Sequence, residues 1–391
     1  MRIYFDHNAG APLRPEARDA MALFIAGGAE GNPASVHMSG QHARRLLEEA
    51  RTDVALLLGV PSRSIVFTSG GTEANNLAIF GALYNTARHR IVTSAIEHSS
   101  VTAPIAELER RGFEVVRLPV DPEGRLPAGA NLDAVDRNTA LVTLGLANSE
   151  VGTIQDLRPV AQAARRVEAP LHVDAAQAVG RVPVAPEQIG CDLMTLSAHK
   201  FGGPAGIGAV YVRPGYSLSA QLLGGPQEAG MRAGTPNLCG VVGFGGAARA
   251  AMACMPGEQE RIAMLSRRLL GRLERSINGL RLNGPRYGRI QNTLNFTFPT
   301  VLGESLLIAL DLEGIEISMG SACAAGAVEP SHVLLAMGRS VAEARSSVRL
   351  SLGWNTTMEE IDFAAEIIPL VWRRVAVAEP WASHNVAEPD R

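Results

Sequence analysis

Two stretches decide the fold: His172-Val173-Asp174-Ala175-Ala176-Gln177 and Ser197-Ala198-His199-Lys200-Phe201-Gly202-Gly203-Pro204. Each closes a short apolar run, 170–175 and 192–197, that reads as a buried strand. A carboxylate at the end of a buried strand costs free energy unless it meets a positive partner. A lysine beside small and hydroxylated residues suits an amine held next to a phosphate. The carboxyl ends of neighbouring strands form the edge on which open α/β sheets bind ligands. Asp174 and Lys200 are therefore expected on one edge, facing one ligand.

Working outward, residues 64–213 alternate short apolar strands with helical stretches. The strands are expected at 64–69, 90–95, 113–120, 139–147, 170–175, 192–197 and 206–212, and the helices at 72–87, 99–111 and 156–167. Buried strands alternating with helices argue for an α/β fold around a mainly parallel sheet, covered on both faces. Gly-rich punctuation follows at 224–234, then a helical run at 240–278. Beyond it come strand 290–298, helix 304–313, strand 347–352 and helix 358–374, which read as a smaller α+β domain. The expected division is a large domain over 13–250, a small domain built from 1–12 and 251–377, and a loose tail over 378–391.

The bulk numbers fit this division. A chain of 391 residues is long for one core. Its 46% hydrophobic and 19% charged residues are an ordinary globular balance. The net charge of −3, without a basic stripe interleaved with aromatics, argues against a nucleic-acid partner. The opening MRIYFDHNAG has no apolar signal core, so a cytoplasmic location is expected. The most apolar stretch, 238–255, is rich in Gly and Ala and contains Arg249; it reads as a buried helix rather than a membrane span.

Cys191, Cys239, Cys254 and Cys323 form no CxxC pair and read as reduced thiols, and no metal site is assigned. Three of them sit in apolar surroundings. Cys323 lies instead among Gly320, Ser321, Ala324, Ala325 and Gly326, a loop-like setting. Lys200 is the only lysine; the other 35 basic residues are arginine. A guanidinium stays protonated and cannot form an imine, whereas a lysine amine can. A third stretch, Ser69-Gly70-Gly71-Thr72-Glu73, follows the apolar Ser64–Thr68 segment and opens a helix, as phosphate-binding turns do. It reads equally as an ordinary turn capped by Thr72.

SGGTEANN, EHSSV, HVDAAQ, SAHKFGGP, MRAGTPN, GSACAAGAVEPSHVL and SVRLSLG together, with GNPASVH near the N-terminus, resemble the motif series of the cysteine desulfurases. The resemblance runs from about Ile3 to about Asp362. It implies the fold type I of pyridoxal-phosphate (PLP) dependent transferases, with a mainly parallel seven-stranded sheet. GSAC marks the group with a long, mobile cysteine loop.

By that resemblance Lys200 bears the cofactor and moves protons, Asp174 pairs with the pyridine nitrogen, and Gln177 contacts the ring hydroxyl. His98 stacks on the ring and takes part in acid–base steps. Gly71, Thr72, Ser197 and His199 hold the phosphate, with Thr235 reaching in from the partner of a homodimer. Arg349 clamps the substrate carboxylate and Cys323 is the nucleophile. The implied reaction turns L-cysteine into L-alanine, leaving a persulfide on Cys323 for an acceptor such as an iron–sulfur scaffold protein.

Two positions depart from the pattern. Asn148-Ser149 replaces a pair of asparagines whose second member touches cofactor or substrate; Ser149 is shorter, so the contact is either kept by Ser149 toward the cofactor or passes to Asn148, toward the substrate, or to water. Trp354 stands where arginine is frequent. A selenocysteine lyase or another PLP lyase of the same fold is the neighbouring reading. A non-catalytic sulfur-transfer scaffold is the reading from another class.

Overall fold

The computed structural model describes residues 2–28, 31–84, 86–126, 132–320 and 329–378. The sheet has seven strands. From edge to edge they are Ile65–Thr68, Gly208–Val212, Leu193–Ser197, Leu171–Asp174, Thr139–Gly145, Arg90–Ser94 and Glu114–Leu118. Gly208–Val212 runs antiparallel to both of its neighbours, and the other pairings are parallel. Six strands thus point the same way. Three are buried throughout and three more at all but one position, because helices cover the sheet on both sides.

The strands expected from sequence are all present, trimmed by one to three residues at their ends. The helix expected at 72–87 is Gly71–Leu83, and that expected at 156–167 starts at Arg158, where a proline opens the first turn. Two helices ahead of the sheet, Pro15–Ala26 and Met38–Leu58, were not anticipated. The second carries a readable stripe: Ala43, Leu47, Ala50, Val54 and Leu58 are buried at helical spacing.

The long helix Leu238–Ser276 belongs to two cores. Phe244, Ala247, Ala248 and Ala251 pack with the sheet, while Ile262, Leu265, Leu269 and Leu273 pack with a second cluster. Its apolar first half is Gly-rich for a steric reason. A Cβ on Gly245 would stand 2.9 Å from the Ala50 Cα, and one on Gly246 would stand 3.0 Å from the Ala17 Cα. The glycines let this helix lie directly against Pro15–Ala26 and Met38–Leu58. That accounts for an apolar stretch long enough to suggest a membrane span.

The second core surrounds a three-stranded antiparallel sheet with Thr293–Thr297 between Ser347–Ser351 and Arg281–Asn283. Helices Gly303–Leu312 and Met358–Ala378 cover it. The N-terminal strand Ile3–Tyr4 pairs with Ile315–Glu316, and Ile3 and Phe5 are fully buried there. Residues 3–5 thus lie in the second core and the turn after them reaches the first. Of the tail expected at 378–391, residues 379–391 lie outside the described residues, and Ala378 ends the last helix.

Trp354 has a physical account. Its indole N–H donates to the Pro12 carbonyl at 3.0 Å, and the Arg14 guanidinium lies 5.6 Å from the ring centroid. The ring closes the seam between the N-terminal turn and the small sheet.

The segment with MRAGTPN is held by ion pairs. Glu228 and Ala229 have positive φ, at 49° and 54°. Glu228 accepts both arms of the Arg51 guanidinium, at 2.6 and 2.8 Å, and the Phe67 N–H at 2.8 Å. Both side chains are almost wholly buried. Glu228→Ala would leave Arg51 with only the half-exposed Glu48, at 3.2 Å, as a carboxylate partner, so it should lower stability by about 3 kcal/mol. A chemical-denaturation midpoint equal to that of the parent would show that the pair does not anchor this segment.

Candidate functional site

Because six strands share one direction, their carboxyl ends deliver side chains to a single edge. Ile65–Thr68 leads to Gly71 and Thr72, and Arg90–Ser94 leads to Glu97 and His98. Thr139–Gly145 leads to Asn148 and Ser149, Leu171–Asp174 ends on Asp174, and Leu193–Ser197 leads to His199 and Lys200. These residues, with Gln177 from the turn after Asp174 and Arg349 from the small sheet, line one cavity of about 450 Å³. Every site residue expected from sequence is there except two. Thr235 is exposed and lies away from it. Cys323 lies outside the described residues, but Gly320, from which the chain enters that segment, is on the cavity wall.

One end of the cavity suits an anion. Helix Gly71–Leu83 begins there with Gly70 at its cap position and no side chain capping it. Thr72 is inside the first turn, so the capping alternative for Thr72 fails. The first N–H groups and the positive end of the helix dipole face the cavity. A Cβ on Gly71 would come within 3.3 Å of the Ser197 Cβ, so glycine keeps that cradle open. Ser197 Oγ and His199 Nδ1 are 3.1 Å apart on its other side.

Lys200 sits in the turn after its strand. Its ammonium donates to the carbonyls of Asn8, at 2.8 Å, and Ala9, at 3.1 Å. Burial, then the guanidinium groups of Arg181 and Arg349, push its pKa down to about 8 against the pull of Asp174 and Asp6. Asp174 is held by neutral donors only: the Ala176 N–H at 3.0 Å and Asn75 Nδ2 at 2.8 Å. Among the described residues it has no ion pair. A half-buried carboxylate with no ion-pair partner among the described residues fits a protonated pyridine nitrogen, and a cradle of helix N–H groups fits a phosphate. The residues present therefore suit pyridoxal phosphate.

His98 caps helix Ser99–Arg110. Its Nδ1 accepts the Ser100 N–H at 3.1 Å and lies 2.7 Å from Ser100 Oγ. A backbone N–H can only donate, so Nδ1 is unprotonated and the proton sits on Nε2. Desolvation keeps the ring below the usual histidine range, with Lys200 and His332 adding to it and Asp174 opposing.

Arg349 is buried. It pairs with Asp6 at 2.6 Å and donates to the carbonyls of Ser149 and Gly320, while its buried Nε has no hydrogen-bond partner among the described residues. Ser149 thus presents its carbonyl to Arg349 and to Asn8 Nδ2. Asn148 is engaged by backbone: its Oδ1 accepts from Glu150 and Val151, and its Nδ2 donates to Ile96.

Sequence reasoning missed Asn8 and Ala9, the acceptors of the Lys200 ammonium, and Asn75, which links Asp174 to Ser100. It also missed Glu97, whose buried carboxyl is raised to about 7 by desolvation. A signal existed for the first two: the polar run Asp6-His7-Asn8 directly after apolar Ile3-Tyr4-Phe5 marks a turn out of a core.

The chain is similar over residues 3–363 to the model of the family "Aminotransferase class-V". It is 40% identical over 381 residues to the cysteine desulfurase IscS of Dictyoglomus turgidum, covering 97% of this chain and 96% of that one. The chain belongs to the class-V aminotransferase family, among its cysteine desulfurases. A solved NifS-like protein superposes with a TM-score of 0.88 at 33% identity, covering 96% of this chain and all of that one. Another solved structure, SspA in complex with cysteine, gives 0.80 at 32% identity over 90% of this chain and 99% of that one.

Lys200→Arg should keep the positive charge and the fold but lose the visible absorbance of bound cofactor, because guanidinium cannot make the covalent link. Purified Lys200→Arg protein with the parental absorbance band would remove Lys200 from its assigned place.

Proposed function

We propose that this cysteine desulfurase uses pyridoxal phosphate to take sulfur from L-cysteine, releasing L-alanine and leaving a persulfide on Cys323 for an acceptor protein such as an iron–sulfur scaffold. The observation that carries this reading is the Lys200 amine, with a depressed pKa, in one cavity with the unpaired Asp174 carboxylate. The likeness to a structure described with cysteine bound supports the choice of substrate.

Gly71, Thr72, Ser197 and His199 would hold the phosphate, Asp174 the pyridine nitrogen, Gln177 the ring hydroxyl, and His98 the ring face. The bound cofactor supplies an electron sink for charge that develops on the substrate. The protein does the rest. Lys200 Nζ takes and returns the proton at the substrate Cα; with a pKa near 8 it exchanges protons readily at neutral pH. His98 carries its proton on Nε2, which would donate it. Arg349, on the cavity wall, would turn its guanidinium fork to the substrate carboxylate.

Cys323 attacks the substrate sulfur as a thiolate. The S–S bond forms as the Cβ–S bond breaks, its electron pair stays on carbon, and protonation there yields alanine. The reading includes a cytoplasmic homodimer in which Thr235 of one copy completes the phosphate cradle of the other. It also treats 13–250 as the cofactor-holding unit and 1–12 with 251–377 as the unit that brings Arg349.

Cys323→Ser should bind cofactor and cysteine with parental spectra yet release neither sulfide nor alanine, since a hydroxyl is a poor nucleophile toward sulfur. Parental sulfide production by this variant would place the nucleophile elsewhere.

Arg349→Ala should lose about 2–5 kcal/mol of transition-state stabilisation, more than tenfold in kcat/KM for cysteine, with the cofactor absorbance unchanged. Arg349→Lys should recover only part, because a point charge lacks the planar fork. Steady-state kinetics at parental efficiency for Arg349→Ala would mean that another group holds the carboxylate.

A further inference from the structure

Arg181 is a cation that the chemistry above leaves unused. It stands in the turn after Gln177, on the wall between the cofactor cavity and a larger one of about 840 Å³ behind Lys200. Its side chain keeps contact with that larger cavity, yet it lies deep in the protein. Desolvation and Arg349 lower its pKa to about 9, so it remains charged at neutral pH. Its hydrogen-bond acceptors are neutral oxygens: Asn8 Oδ1 at 2.8 Å, the His7 carbonyl at 2.9 Å, the Lys200 carbonyl at 2.8 Å, and Gln177 Oε1.

Those acceptors belong to the supports of the reactive groups. The Asn8 carbonyl takes the Lys200 ammonium and, at 3.0 Å, Gln177 Nε2. A guanidinium only donates, so binding Gln177 Oε1 fixes which way that amide faces. The Gln177 NH₂ is thereby the end presented to Asn8 and the cavity. The fork of Arg181 also reaches the backbone on both sides of the Lys200 contact, at His7 and at Lys200 itself.

We infer that Arg181 is a positioning residue of the cofactor cavity, holding Lys200, Gln177 and the Asn8 turn in one arrangement from behind the wall. This rests on the reading of Lys200 as the cofactor-bearing residue. The charge of Arg181 has a second effect. Arg181 and Arg349 disfavour the Lys200 ammonium, Asp174 and Asp6 favour it, and His98 and His199 stand beside it with lowered pKa values. Removing the Arg181 charge should therefore raise the Lys200 pKa, while keeping the charge without the fork should leave it.

The single lysine makes the test direct. Full-length protein stripped of cofactor is trace-acetylated across a pH series, and labelling at Lys200 is read by mass spectrometry; pyridoxal phosphate affinity is measured in parallel by fluorescence quenching. The parent should show its half-point near the depressed value. Arg181→Gln should shift it upward, and a rise of half a unit lowers labelling at neutral pH about threefold. Arg181→Lys should keep the parental labelling profile but weaken cofactor affinity as Arg181→Gln does, because only the fork is lost. A residue that merely supports the fold would change melting temperature in both variants without separating these two readouts.

Parental labelling and parental affinity in Arg181→Gln would overturn the inference, as would an ordinary lysine half-point in the parent. If Arg181→Gln fails to fold, Arg181→Lys decides alone, and parental affinity there overturns it. A parent that binds no pyridoxal phosphate would overturn the reading of the cavity itself, and the inference with it.

Discussion

An ammonium group withdrawn from water among like charges is costly, and the site is arranged around that one cost. Lys200 is given backbone carbonyls instead of a carboxylate as close partners. Those carbonyls belong to the turn that follows the N-terminal strand, so they must be placed rigidly. Asn8 does this as a donor with three bonds, its N–H to Ser351 Oγ at 2.9 Å and its amide to the Ser149 carbonyl at 2.9 Å and to Thr293 Oγ1 at 2.8 Å. Two of these partners lie in the small sheet and one in the loop beside Arg349. The position of the amine thus depends on both cores being docked, and residues 3–9 are the link.

The same economy governs the negative charges. Asp174 is steadied by an amide and a backbone N–H, which orient it without neutralising it. Glu97, fully buried nearby, is raised to about 7, with desolvation dominant and Asp174 adding to it. It therefore spends much of its time protonated at neutral pH and does not place a second full negative charge beside Asp174. Asn75 reaches both Asp174 and Ser100, and Ser100 holds His98 in its Nε2–H form. Neutral amide and hydroxyl groups thus stand between the titrating groups, although Asp174 still acts on Glu97, His98 and Lys200 through its charge.

Most of the sheet was legible in the sequence, because its strands are short, mainly apolar runs, four of which end on Gly145, Ser94, Ser197 or Asp174. The edge that carries chemistry was legible for the same reason: Asp174 and Lys200 each close such a run. What escaped was the part built from long-range polar contacts. Nothing local in Asp6-His7-Asn8 says that its carbonyls will meet Lys200, more than 190 positions away. Arg181 follows an Ala-Val-Gly turn that reads as a plain exit from a strand. Arg349 alternates along its strand with Val348 and Leu350, and those two pack into the second core while Arg349 lines the cavity. Its ion pair with Asp6 had no local signal.

The replacement of lysine by arginine elsewhere isolates what Lys200 alone can do. Charge is supplied by arginine across the described surface, as in Arg268 and Arg272 with Asp362 and Arg158 with Asp156. Exposed pairs of this kind contribute little each, and either cation serves them. Inside the cavity wall arginine serves better, since Arg349 and Arg181 each reach several acceptors with one rigid fork. A compact amine that shifts its pKa when buried, forms a covalent link to a carbonyl carbon and then carries a proton is a job no guanidinium does. The chain keeps its single lysine at the one position where hydrogen-bond count and permanent charge are both secondary to being able to lose a proton.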